Sequence, residues 1–271
     1  LHIFTQENFP YDYGLTQRSL GDVYRQRIAG ERQANLEQAV ACYDAALHIL
    51  SQEALPYEYA ITMWSLGNVY RHQNVEGNGQ EGGLGLEQAI EYQSRALDIL
   101  TPEDFPYEYA ITLRGLGDVY RQRFLGGRRA NLEQSINYYE RALHILTPEN
   151  FPYEYANTLR SLGNAYQQRS LEGSGQDLER AMACYHSALL IYTLDAFPAD
   201  HHRLQLDLAE AAGVRHITYL SAYGMEFAPS DVALRAVELD LMGRSTLTHS
   251  IVRPAWFMQN FSETFLLPVD E

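Results

Sequence analysis

The sequence predicts a mainly α-helical chain: an α-solenoid of four stacked helix pairs over residues 1–195, followed by a partial α/β segment over 196–271. Three observations predict this. A two-block motif returns four times, each block places its apolar residues at helical spacing, and the periodicity changes after about residue 196.

The first block, FPYDYGLTQRSLGDVYRQR at 9–27, returns at 55–73, 105–123 and 151–169, with starts 46, 50 and 46 residues apart. Pro10, Pro56, Pro106 and Pro152 stand just inside each predicted helix start, where a missing N–H costs nothing. The second block, NLEQAVACYDAALHIL at 35–50, returns at 85–100, 131–146 and 177–192. Asn35 and Asn131 read as N-caps, with Gln38 and Gln134 three residues on completing a capping box. The connections between blocks are polar and variable, and the four extra residues of the second repeat fall there, as in a loop.

Beyond residue 196, LQLDLAEAAGV reads as a helix ending near Gly213, 216–222 as a strand, 230–243 as a helix and 247–253 as a second strand. That is a β-α-β order. Two strands do not make a stable, doubly covered sheet by themselves. The tail is therefore expected to cap the last repeat, to pair with another chain in self-association, or to be poorly ordered.

Composition narrows the function classes. The 271 residues carry a net charge of −15 from 35 acidic and 20 basic side chains, and all of the basic ones are arginine. With 46% hydrophobic and 20% charged residues the chain is globular rather than disordered. The acid excess opposes general nucleic-acid binding. No apolar run approaches the roughly 20 residues of a membrane span, and no signal peptide is read near Leu1. The absence of lysine excludes Schiff-base chemistry and a Tyr-Lys catalytic pair. Cys42 and Cys184 occupy equivalent positions three repeats apart, so they read as unpaired core residues of a protein in a reducing, cytoplasmic compartment.

Each first block contains Leu-Gly-x-x-Tyr: Leu20-Gly21-Tyr24, Leu66-Gly67-Tyr70, Leu116-Gly117-Tyr120 and Leu162-Gly163-Tyr166. Each second block carries Ala39-Tyr43-Ala46, Ala89-Gln93-Ala96, Ser135-Tyr139-Ala142 or Ala181-Tyr185-Ala188. This pattern over residues 9–192 resembles the tetratricopeptide repeat, with about 12 residues beyond its usual period placed in the inter-helix loop. The long-loop form looks like bacterial arrays that are joined to caspase-like CHAT or other signalling domains. The resemblance implies a superhelix whose concave face, lined by the first helices, binds a peptide or protein, and a scaffold rather than an enzyme.

Positions i, i+4 and i+7 of each first helix share one face, which the resemblance points inward. They are Arg18-Asp22-Arg25, Trp64-Asn68-Arg71, Arg114-Asp118-Arg121 and Arg160-Asn164-Gln167. Because a guanidinium fork clamps carboxylates, an acidic or C-terminal partner segment is the expected ligand. The competing reading of Arg18-Asp22 and Arg114-Asp118 is an ordinary surface pair worth a few tenths of a kcal/mol. The tyrosines, 18 of 20 before residue 193, read as core.

The tail residues AAGVRHITYLSAYG and SIVRPAWFMQNF resemble the later part of NmrA-like atypical short-chain dehydrogenase/reductases. That resemblance implies a Rossmann-like sheet and an alternative function, an NAD(P)-binding oxidoreductase or redox sensor regulated by the repeats. Ser221, Tyr223, Arg253 and Pro254, with Phe257 and Asn260, match the family's motifs toward NADP. The Gly-rich first turn and the family's lysine have no counterpart here, and Arg235 stands where related members carry a basic residue.

Two further motifs are discounted. GNGQEG at 77–82 has the G-x-G-x-x-G form but follows an amphipathic helix instead of a strand, so it reads as a loop. Asp200-His201-His202 is the densest group of metal-capable residues, but adjacent helical histidines diverge and the group reads as a solvated helix start.

Overall fold

The structure, a computed structural model, describes residues 5–76, 82–171, 175–220, 228 and 232–252. Among them ten helices run in chain order: α1 (Pro10–Gln26), α2 (Arg32–Leu47), α3 (Pro56–Glu76), α4 (Gly82–Leu97), α5 (Pro106–Gln122), α6 (Arg128–Leu143), α7 (Pro152–Ser170), α8 (Gly175–Leu189), α9 (Pro198–Ala211) and α10 (Ala233–Gly243). Strands β1 (His216–Leu220) and β2 (Thr248–Val252) flank α10. Helices α1 to α8 form four pairs, each packed on the next, in the solenoid arrangement the repeats predict. The motif GNGQEG falls almost wholly outside the described residues.

One joint starts every repeat. The Phe or Leu before the proline bonds its N–H to a Ser or Thr carbonyl four residues back, at 2.9 Å in Leu55 to Ser51, Phe105 to Thr101 and Phe151 to Thr147. Proline then sits in the first turn, where it forfeits no helical bond. The same joint recurs where Phe197 donates to Thr193 at 2.9 Å, so α9 begins as a fifth first helix. It packs on α8 and α7, which carries the array past residue 195. The signal is present in Phe197-Pro198, one 46-residue step after Phe151-Pro152. It is obscured because the residues after Pro198 lose the Leu-Gly-x-x-Tyr pattern.

The recurring spacing of Gly and Tyr has a steric cause. A Cβ on Gly21, Gly117 or Gly163 would lie 2.7, 2.6 or 2.4 Å from the ring of Tyr43, Tyr139 or Tyr185. Glycine is what lets the paired helices close until those rings are fully buried. Tyr43 clusters with Leu36, Ala39 and Leu66, and Tyr139 and Tyr185 with Leu159, Leu162 and the alanines around them.

The capping-box expectation is corrected. Asn35 and Asn131 lie inside α2 and α6, whose N-caps are Glu31 and Gly127. The Asn131 amide instead donates to the loop carbonyls of Arg123 (3.0 Å) and Leu125 (2.8 Å), and the Asn35 amide to that of Ala29 (3.0 Å). Those carbonyls cannot be satisfied within either helix, so a buried amide that spans the turn outweighs an N-cap bond.

In the tail, β1 and β2 pair in parallel, from His216 with Thr248 to Leu220 with Val252. Val237 and Leu241 of α10 and Leu247 bury against Leu206 of α9, with Ile217, Tyr219 and Ile251 alongside. The expected β-α-β order is present, and it rests on the end of the array. Among the described residues its sheet has two strands. No helix of the described residues is long and apolar enough to cross a membrane.

Candidate peptide-binding groove

The first helices form the inner wall. Each touches the next first helix, α1 to α3, α3 to α5, α5 to α7 and α7 to α9, whereas among the described residues no comparable contact joins α2 to α4, α4 to α6 or α6 to α8. A stack whose first helices converge while its second helices diverge curves toward the first.

Of the twelve residues expected on that wall, the middle row serves the fold. Asp22, Asp118 and Asn164 accept the hydroxyls of Tyr43 (2.7 Å), Tyr139 (2.7 Å) and Tyr185 (2.8 Å). Asn68 accepts from the Gln93 amide at 3.4 Å, and Gln167 shares the Tyr185 hydroxyl at 3.0 Å. Burial and these carboxylates raise the pKa of Tyr43 and Tyr139, so both hydroxyls stay protonated donors. Burial also opposes the charge on Asp118, yet the guanidiniums of Arg71, Arg121 and Arg114 and the Tyr139 hydroxyl hold its carboxyl below the ordinary value.

Arg160 is occupied as well. Its Nε donates to Asp207 of α9 at 2.7 Å, and Asp207 also takes Arg244 at 2.7 Å. Arg244 in turn reaches Asp240 (2.8 Å) and Glu210 (3.2 Å), which fastens α7, α9 and α10 together. The repeat pattern hides this cluster, because Asp207 stands at a position filled by serine or glycine in the preceding repeats.

The other six of the twelve each carry a donor atom without an acceptor among the described residues. Arg18, Arg25, Arg71, Arg114 and Arg121 each hold a buried Nε, and Trp64 a buried Nε1, that meets no acceptor among the described residues. Arg25 and Arg121 also pair loosely with Asp22 (3.5 Å) and Asp118 (3.9 Å) and lie against the Tyr43 and Tyr139 hydroxyls. Leaving a buried donor unmatched costs about 1–3 kcal/mol. Six on one wall make a surface that gains by taking up acceptors. At its far end, Gln167 also lines a recess of about 340 Å³ with Gln168, Leu171, Glu210, Val214 and Thr246.

The other candidates divide. Ser221, Tyr223, Arg253 and Pro254, with Phe257 and Asn260, lie outside the described residues. Arg235 is engaged by Glu238 at 2.9 Å. His201 and His202 bond the carbonyls of Tyr192 (2.7 Å) and Pro198 (2.6 Å), and Asp200 pairs with Arg203 at 3.5 Å. Among the described residues no group of three His, Cys, Asp or Glu could hold a metal. Cys42 is buried and Cys184 partly so, both free. Comparison with protein families finds no match to the chain, and no curated protein matches it.

Proposed function

We propose that this chain is a non-enzymatic interaction scaffold whose first-helix wall binds an acidic segment of a partner protein. The observation that supports the reading is the set of buried, unmatched donors on Arg18, Arg25, Trp64, Arg71, Arg114 and Arg121. They recur at corresponding positions of three successive repeats, all on the wall where the first helices converge. A carboxylate offers each guanidinium the two-point contact it lacks. Neighbouring helices in such a stack stand about 8–10 Å apart, close to one three-residue turn of a polyproline II ligand, about 9 Å, so an acidic side chain at every third position faces one repeat after another.

The net charge of −15 does not oppose this, because the wall carries its own sign. The test is fluorescence anisotropy of the full chain with labelled peptides bearing Glu at every third position, compared with Gln in the same places. Binding of the Glu peptide that weakens with salt, and weakens at least about tenfold in Arg71→Ala with Arg114→Ala, supports the reading. Equal affinity for Glu and Gln peptides, or no effect of the paired substitution, refutes it.

A further inference from the structure

The later first helices each bury one stripe of residues. It is Thr62, Leu66 and Val69 in α3, Thr112, Leu116 and Val119 in α5, and Thr158, Leu162 and Ala165 in α7, all of them buried. Positions i, i+4 and i+7 keep the stripe on one face of its helix. The second helix of the preceding repeat packs on each of these helices. It reaches the last position of the stripe: Val69 clusters with Leu36, Ala39 and Tyr43 of α2, Val119 with Leu86 and Ala89 of α4, and Ala165 with Ile136 and Tyr139 of α6.

Helix α1 carries the same stripe without that cover. Val23 is 62% exposed, where Val69, Val119 and Ala165 are 0% exposed. Thr16 and Leu20 are partly exposed, and Ser19 is exposed where Ser65 is buried. The face is nevertheless fit to lose its water. The Thr16 hydroxyl donates to the Asp12 carbonyl (2.6 Å) and the Ser19 hydroxyl to that of Leu15 (2.9 Å), as the buried Thr62, Thr112 and Thr158 donate four residues back along their own helices. The approach is formed as well. The Phe9 N–H donates to the Thr5 carbonyl at 2.9 Å and the Asn8 N–H to Thr5 Oγ1 at 3.3 Å, the same joint by which the chain enters α3, α5, α7 and α9 from a second helix. A repeat that closes an array presents a polar outer face, whereas α1 presents Leu20 and Val23.

We propose that this face of α1 is an inter-repeat interface, and that its occupant is the second helix of a further repeat unit, entering through the Thr5–Phe9 joint. The covering pattern is Leu-x-x-Ala-x-x-x-Tyr, as Leu36, Ala39 and Tyr43 show over Val69. Residues 1–4 lie outside the described residues, but their sequence, Leu-His-Ile-Phe, matches the Leu-His-Ile-Leu that closes the second block at 47–50 and 143–146. A second copy of this chain has no such helix to offer, because α2, α4, α6 and α8 each pack on the first helix that follows them, α3, α5, α7 and α9. The interface is also independent of the acidic-peptide wall. Arg18, Asp22 and Arg25 stand two residues on from Thr16, Leu20 and Val23, roughly 200° around the helix, so the wall stays open when the stripe is covered.

The experiment measures maleimide labelling of Val23→Cys in the full chain and in the chain with residues 101–146 repeated directly ahead of Thr5. Val69→Cys in each is the reference for a covered position. Fast labelling of Val23→Cys in the chain itself, slowed at least about tenfold by the extension toward the Val69→Cys rate, supports the proposal. A shorter extension, residues 128–146 alone, guards against misfolding of the longer one. Labelling that stays fast with both extensions while Val69→Cys stays protected overturns it. Slow labelling of Val23→Cys without any extension also overturns it, and sedimentation velocity then tells whether a second copy covers the face.

Discussion

Gln93 of the second repeat faces Gly115 of the third: a Cβ on Gly115 would lie 2.9 Å from Gln93 Oε1 and 3.0 Å from its Nε2. In the repeats on either side the corresponding partners are Tyr43 with Ser65 and Tyr139 with Ser161. The two departures from the repeat pattern therefore touch one another, and a single local solution accounts for both.

This pair predicts coupling. Gln93→Tyr places a hydroxyl where Asn68 can accept it, as Asn164 does for Tyr185. Gly115→Ser alone forces the buried Gln93 amide off Asn68, but combined with Gln93→Tyr it recreates a junction the chain already uses. A double-mutant cycle by denaturant unfolding is expected to show about 0.5–3 kcal/mol of favourable coupling. Strictly additive changes would show the positions to be independent.

Gly163→Ala is expected to destabilise by about 1–3 kcal/mol, because the methyl meets the Tyr185 ring at 2.4 Å and that ring has no exposed side to move toward. The better helix propensity of alanine offsets only about 1 kcal/mol of this. Pairing it with Tyr185→Phe leaves the clash in place, whereas Tyr185→Leu relieves it. Thermal melts of the three variants separate a steric cause from a lost hydroxyl bond.

Asp207→Asn loosens the junction of array and tail. It leaves Arg160 without its carboxylate, while Arg244 retains Asp240 and Glu210. The expected loss is about 1–2 kcal/mol, less than for a fully buried pair with no other partner. Because repeat stacks unfold locally, hydrogen exchange is the measurement. Faster exchange in α9 and α10 with α1 to α6 unchanged is the expected pattern, and uniform acceleration would contradict it.

His72 adds an acid-sensitive term. Its folded pKa, about 4, lies below the ordinary 6.5, so the folded state binds the proton less well than the unfolded chain. Its stabilising contribution is full above pH 6.5 and is lost as the pH falls through 4. Melting temperature measured across that window is expected to drop more steeply for the wild type than for His72→Gln in chloride buffer.

Burial raises the Cys42 thiol, and burial with the nearby Glu140 charge pushes Cys184 up to about 11. Both thiols are therefore poor nucleophiles near neutrality. Labelling with a maleimide at about pH 7 is expected to proceed only at the rate of local opening and to accelerate sharply in denaturant. Rapid native-state labelling of Cys184 would contradict its placement.

The repeats are legible in the sequence because their chemistry is local: Phe-Pro at a helix start and glycine beneath a tyrosine ring leave the same trace each time. The wall is legible in part. Helical spacing places Arg18, Arg71 and Arg114 on one face, but it cannot show that Asp22, Asp118 and Asn164 are taken by tyrosines 21 residues away. Nor can it show that Arg160 meets Asp207 across 47 residues. Such partners are set by how helices cross, and crossing is absent from any single-helix pattern.

The joint at each Phe-Pro start makes the units exchangeable. Since Thr147–Phe151 and Thr193–Phe197 close in the same way, the 46-residue unit between them can be copied or removed with both seams intact. Two seams resist such shuffling: the one matched through Gln93 and Gly115, and the last, where Asp207 binds the tail through Arg244. Lineages of this chain are thus expected to vary in length by whole units inserted ahead of the final helix, with those two seams inherited as fixed pairs.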